Sequence, residues 1–202
     1  MLDYNKIKIG IIDLKINNIF SLFNSLKKIG YRVNIIEKNF KNFDYIMLPG
    51  VGSFRAGMNS LKKRKLDKDI FEQIVLKKRK LIGICLGMQL LFDDSCEFGK
   101  TKGLGLINGS VKKFDDKICT VPMVGWYKAL SKNKFIKRKN FYHIHSYYCK
   151  PKNKKIILLN INYFKMNYCS AVHKRNIIAF QFHPEKSGLD GINLLRNIPN
   201  FF

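Results

Sequence analysis

The sequence predicts an α/β fold: a mostly parallel central sheet with helices on both faces, and a more β-rich C-terminal half. Three observations carry this. Apolar runs of strand length alternate with segments of helical periodicity up to about residue 92. Beyond residue 103, short apolar runs follow one another with turns between them and little helix. One run, LIGI at 81–84, changes to helical periodicity across a single residue, Cys85.

Residues 8–14 (KIGIIDL) read as an apolar strand, and Asn17 and Asn18 are each able to cap the helix that follows. Ile19, Leu22, Phe23, Leu26 and Ile29 recur at helical spacing, and Gly30 ends that helix. Residues 31–36 and 45–48 are the second and third strands, the latter running into Pro49-Gly50-Val51-Gly52. That loop lies at a strand's C-terminal end, where open α/β sheets gather their chemistry, and its glycines let backbone N–H groups turn toward a developing negative charge. Helical patterns over 55–64 and 66–77 lead to the strand 81–84 and a helix over 86–92. A polar loop over 93–102 precedes strands at 119–126, 141–149, 156–161, 168–173 and 177–182, and 187–197 closes as a helix. The whole span, 1–202, reads as one domain.

Cys85 stands where strand becomes helix, between Gly83 and Gly87. A side chain on so tight a turn is pushed outward, and the turn closes only with small neighbours, so Cys85 is the candidate nucleophile. A helix N-terminus favours the thiolate. The plainer alternative, a small core residue, fits the strand less well than it fits an isolated Cys. His183 follows an apolar strand, with Pro184 stiffening the turn and Glu185 two positions on. Sulfur, imidazole and carboxylate suit acyl transfer: His183 moves the proton and Glu185 orients the ring. His143 and His145 alternate on one strand face without an evident third ligand, so no metal and no cofactor is expected. Gln89 and Glu97 are candidates to hydrogen-bond a polar substrate.

The formal net charge is +24. Such an excess suits a polyanion, but the lysines are spread along the chain and the aromatics do not alternate with the basic runs, so nucleic acid is not the expected partner. The five cysteines form no CxxC pair, which points to a reducing compartment, and no apolar run approaches a membrane span or a signal peptide. A cytoplasmic location is expected.

GICLGMQLLF around Cys85, LPGVGSF at 48–54, HSYY at 145–148 and FQFHPEKSG at 180–188 resemble the class I (triad) glutamine amidotransferases, and more narrowly the glutaminase subunits of imidazole glycerol phosphate synthase. The resemblance runs nearly end to end. It implies a three-layer, flavodoxin-like α/β fold and a catalytic triad of Cys85, His183 and Glu185. It implies an oxyanion hole from N–H groups near Val51 and Leu86, and a glutamine site at Gly50, Gly52, Gln89, Glu97, Ser146 and Tyr147. It also implies a (βα)8 barrel cyclase partner, faced by Asn18, Trp126, Tyr142 and Lys186, which receives ammonia to make imidazole glycerol phosphate and an aminoimidazole ribonucleotide in histidine biosynthesis. Paralogous glutaminases that supply a barrel partner modifying surface sugars are the alternative. The chain departs from the family pattern at Lys15-Ile16-Asn17 in the first loop, at Met123 and Tyr127 where PHxGWN is usual, and at Cys96.

Overall fold

A computed structural model describes residues 3–16 and 19–202. Five strands form the parallel part of the sheet: β1 (Lys8–Ile12), β2 (Arg32–Ile36), β3 (Tyr45–Gly50), β4 (Lys80–Cys85) and, last in sequence, β13 (Ile177–Phe180). Their spatial order is β2-β1-β3-β4-β13, so the order reverses beside β1. That reversal is where an α/β sheet opens a crevice at its strand ends.

Side-chain alternation sorts these strands into two cores. Ile82 and Ile84 of β4, Tyr45 and Met47 of β3, and Ile178 and Phe180 of β13 pack with α1 (Phe20–Ile29) and α5 (Gly188–Arg196) on one face. Leu81, Ile46, Leu48, Ile177 and Ala179 pack on the other with α2 (Phe54–Lys63), α3 (Leu66–Ile70) and α4 (Leu86–Leu90). The three layers follow, and so does the unbroken apolar character of strands covered on both faces. Each large side chain so buried is worth about 1.5–3 kcal/mol. α1 ends at Gly30, whose φ of 108° needs no Cβ there, and Ser53 caps α2 by accepting from Ala56 N at 3.3 Å. Asn17 and Asn18, expected as caps of α1, lie outside the described residues.

The second half extends the sheet antiparallel from β13 through β12 (Met166–Lys174), β10 (Tyr147–Pro151) and β7 (Ile107–Lys113); β5 (Phe92–Ser95) then joins β7 in parallel and β6 (Thr101–Lys102) pairs antiparallel with β5, while β11 (Ile157–Tyr163) pairs with β12. β8 (Met123–Lys128) and β9 (Asn140–His145) form a separate two-stranded sheet.

Four expectations are corrected. The elbow helix stops at Leu90 because Phe92 joins the sheet beside Ile107. The supposed loop over 93–102 contains the β5–β6 pairing; its polar side chains conceal the strand because Asp93 is spent accepting from Gly109 N at 2.9 Å and Ser95 is buried. The apolar run over 141–149 is two strands in two sheets, divided at Ser146. The strand expected from residue 119 begins at Met123, after Pro122, which has no N–H to give a ladder. The helical pattern over 66–77 holds, but after Ile70 it widens to a π-helical turn, Phe71–Leu76.

A Cβ on Gly87 would lie 1.6 Å from the Leu48 carbonyl oxygen of β3, an overlap that no rotamer relieves. Gly87→Ala is therefore expected to cost about 3 kcal/mol or more in urea unfolding; a loss under about 1 kcal/mol would mean that β3 and α4 are not in this contact.

Candidate active site

Cys85 ends β4 opposite Gly50 of β3 and takes φ 52°, ψ −112°, a backbone state that a side chain rarely adopts. The tight turn read from the sequence is present, although the helix it opens has only five residues. One cavity of about 510 Å³ gathers Cys85, His183, Val51, Gly52, Leu86, Gln89, Glu97, Ser146, Tyr147 and Lys186. Five separate segments of the chain thus meet beside the C-terminal ends of β3 and β4. The sulfur and the imidazole, nearly a hundred positions apart in sequence, share a wall.

Not every expected residue is in that lining. Gly50 sits behind it: a Cβ there would come 2.9 Å from the Leu86 Cβ, so its bareness lets β3 close on the elbow. Trp126 and Tyr142 lie on the β8–β9 sheet, ring against ring at 4.8 Å, with Trp126 63% exposed. Asn18 falls outside the described residues. The cavity also has Phe98, Lys113 and Ile144 in its wall, none singled out in the sequence, where a Phe in a loop or a Lys on a strand carries no signal, and His145, which the sequence marked only as a weak metal candidate. Gln181 was likewise passed over within FQFHPEKSG; it donates toward the Cys85 sulfur at 3.9 Å.

Glu185 stands behind His183, its Oε1 accepting from Nδ1 at 2.8 Å. That bond leaves Nε2 as the nitrogen for the sulfur. Burial works against charge on His183, but its interactions with the Cys85 sulfur and the Glu185 carboxylate outweigh it and push the imidazole up to about 10. Nε2 has no partner in full hydrogen-bond geometry among the described residues, a looseness common in sites without substrate. Strand β9 grips this loop. His183 N donates to the Tyr142 carbonyl at 3.0 Å, and the Ser187 hydroxyl accepts from Tyr142 N at 2.9 Å while donating to the His183 carbonyl at 2.6 Å.

Glu97 Oε2 accepts from Phe54 N, the first residue of α2, at 2.5 Å, where a carboxylate is favoured by the helix end. Gly52 holds φ 103° with open space around it. His143 and His145 both face inward. His143 Nδ1 donates to the Phe141 carbonyl at 2.9 Å and Nε2 meets the Ser170 hydroxyl at 2.7 Å; His145 Nδ1 donates to the Tyr147 carbonyl at 2.8 Å. These are core hydrogen bonds, and burial pushes His143 down to about 3 and His145 to about 4. Met123 is fully buried, and the Tyr127 ring packs edge-on to His143 and Tyr163, so the departures from PHxGWN fill the interior of the β8–β9 hairpin.

A cysteine on a strained elbow, with imidazole and carboxylate arriving at the same edge, is the arrangement of an α/β enzyme that works through sulfur. The family model for glutamine amidotransferase class-I matches residues 10–198. The chain is 37% identical over 201 residues to the imidazole glycerol phosphate synthase subunit HisH of Leptospira borgpetersenii, covering 94% of this chain and 98% of that protein. It is 41% identical over 202 residues to subunit HisH 2 of Methanococcus maripaludis, covering 94% and 97%. A crystal structure of a glutamine amidotransferase superposes with a TM-score of 0.77 at 14% identity over 96% of this chain and 97% of that one, a likeness of fold. The chain belongs to the class I glutamine amidotransferases, of the HisH type.

The buried histidines set a pH dependence. With folded values depressed below the ordinary 6.5, they stay neutral in the native state while the unfolded chain protonates, so stability falls as pH drops from about 6.5 toward about 4. His143→Gln is expected to flatten that fall by about 1.4 kcal/mol per pH unit in urea titrations; parallel slopes for the two proteins would refute it.

Proposed function

We propose that this chain is the glutaminase subunit of an imidazole glycerol phosphate synthase, acting as one domain over 1–202, with Cys85, His183 and Glu185 as its triad. The observation that carries the reading is the shared cavity of Cys85 and His183, with Glu185 on the far imidazole nitrogen. The Cys85 thiolate attacks the glutamine side-chain carbonyl, and the oxyanion is met by N–H groups at Val51 and Leu86. His183, charged beside the sulfur, hands its proton to the departing nitrogen; ammonia leaves and a thioester remains. Water, deprotonated by His183, opens the thioester to glutamate and restores the thiolate. Glu185 holds the ring with Nε2 toward the sulfur.

Gly52, Gln89, Glu97, Ser146 and Tyr147 hold the glutamine, with Gly50 shaping the loop beneath it. The Glu97 carboxylate suits an α-ammonium group. Ammonia released into water is protonated and loses its lone pair, so the product needs a closed route to its acceptor. The exposed Trp126 and the half-buried Tyr142, with Lys186, fit the docking face of a (βα)8 barrel cyclase, to which the resemblance also assigns Asn18, and the names borne by the similar proteins favour the synthase over a sugar-modifying partner. Tyr142 is both a docking residue and a backbone partner of His183, which gives assembly a direct hold on the catalytic loop. A biosynthetic role of this kind places the protein's action in the cytoplasm; no helix among the described residues is long and apolar enough to cross a membrane.

Cys85→Ala is expected to lower glutamine hydrolysis at least about a thousandfold while the barrel subunit still binds; turnover within tenfold of the unmodified protein would end the proposal. Trp126→Ala is expected to weaken binding of that subunit by about 2 kcal/mol in calorimetry, with labelling of Cys85 by a glutamine-like electrophile unchanged.

A further inference from the structure

Behind the cavity lies a buried amide network that the reaction as described does not use. Gln181 follows β13 and is only 1% exposed, and its backbone N donates to the Ser170 carbonyl at 2.8 Å. Its side chain stands between two sulfurs and another amide. Gln89 Nε2 donates to the Tyr147 carbonyl at 3.1 Å and to Gln181 Oε1 at 3.2 Å, using both of its N–H groups. Cys149 Sγ also approaches Gln181 Oε1, at 3.7 Å.

These contacts have one sense. The Tyr147 carbonyl can only accept, so Gln89 must present its NH2 on that side, and Gln181 must meet it with oxygen. A flipped Gln181 would set NH2 against NH2. Cys149 is buried and its thiol is held well above the ordinary range by desolvation, so it keeps its S–H and adds a second donor to the same oxygen. Among the described residues, Gln181 Nε2 has the Cys85 sulfur as its acceptor, at 3.9 Å. A neutral thiol is a weak acceptor and a thiolate a strong one, so an N–H fixed in that direction favours the anion. A helix of five residues offers the sulfur little of its own dipole.

We propose that Gln181 is a positioning residue that holds the Cys85 sulfur in its anionic form, its amide turned donor-first by Gln89 and the Tyr147 carbonyl. The inference rests on Cys85 being the nucleophile. It also gives Gln89 a double duty: its free Oε1 is left for the substrate, while its NH2 sets the group that readies the attacking atom.

The test is the pH dependence of Cys85 alkylation by iodoacetamide in the full chain without partner, read by mass spectrometry of the Cys85 peptide between about pH 5 and 10. The other titratable groups around the sulfur, His183, Glu185 and Cys149 near it and Glu97, Lys113, His145, Tyr147 and Lys186 around the cavity, are the same in the variant. Gln181→Met removes the donor at similar size; the midpoint is expected to rise by about one pH unit, with alkylation at pH 7 slowed about tenfold. A merely structural role would lower the thermal midpoint and leave the alkylation midpoint in place, and that result overturns the proposal. Should the variant not fold, nitrogen-15 spectra of the unmodified protein decide: the Gln181 side-chain amide signals should shift with the same midpoint as Cys85 alkylation, and signals indifferent to it refute the assignment. Failure of 6-diazo-5-oxonorleucine to label Cys85 would instead remove the glutaminase reading.

Discussion

The structure depends on one close approach. β3 and β4 lie in register with Gly50 opposite Cys85, and the chain must turn at once into α4 while passing the Leu48 carbonyl at a distance that leaves no room for a methyl group on Gly87. Because the helix cannot retreat, the backbone strain falls on Cys85, whose φ of 52° is held by the strands on both sides. A position so determined keeps the sulfur aimed at the crevice. The cavity, the imidazole loop and the buried amides are all arranged relative to that point.

Around it, rigidity is graded. The parallel strands bury both faces, and stacked rings such as Phe141 on Phe182, 4.0 Å apart, tie β9 to the segment that carries His183. The loop over 51–53 is different: Gly52 has open space around it and Val51 is half-exposed, so its N–H groups can turn without disturbing the core. On the proposed reading, Cys85 is the fixed nucleophile and the loop over 51–53 its adjustable oxyanion partner, a division that suits release of ammonia only when an acceptor is ready.

The electrostatics of the site run against those of the molecule. The chain carries a net charge of +24, yet the groups nearest the sulfur are an imidazole made cationic by its neighbours and two neutral amides. His143 and His145, packed beside them, are kept neutral by burial, which avoids a second cation that would compete with His183. Local desolvation and hydrogen bonding decide these charges, while the surface lysines are screened within about 10 Å of solvent.

By itself the sequence determined the α/β layering and singled out Cys85, His183 and Glu185 as the candidate reacting groups. Unbroken apolar runs such as 81–84 mark strands covered on both faces, helical spacing marks Leu22 and Leu26, and glycines on both sides of Cys85 and the HPE run announce their own turns, because each of these signals is local. Only the tertiary structure decided what depends on partners distant in the chain. The β5–β6 pairing within a polar segment, the division of 141–149 at Ser146 between two sheets, and the placing of Gln181 between Gln89 and Cys85 are of this kind. A hydrogen bond formed across some sixty to a hundred positions leaves no periodicity in the sequence that makes it.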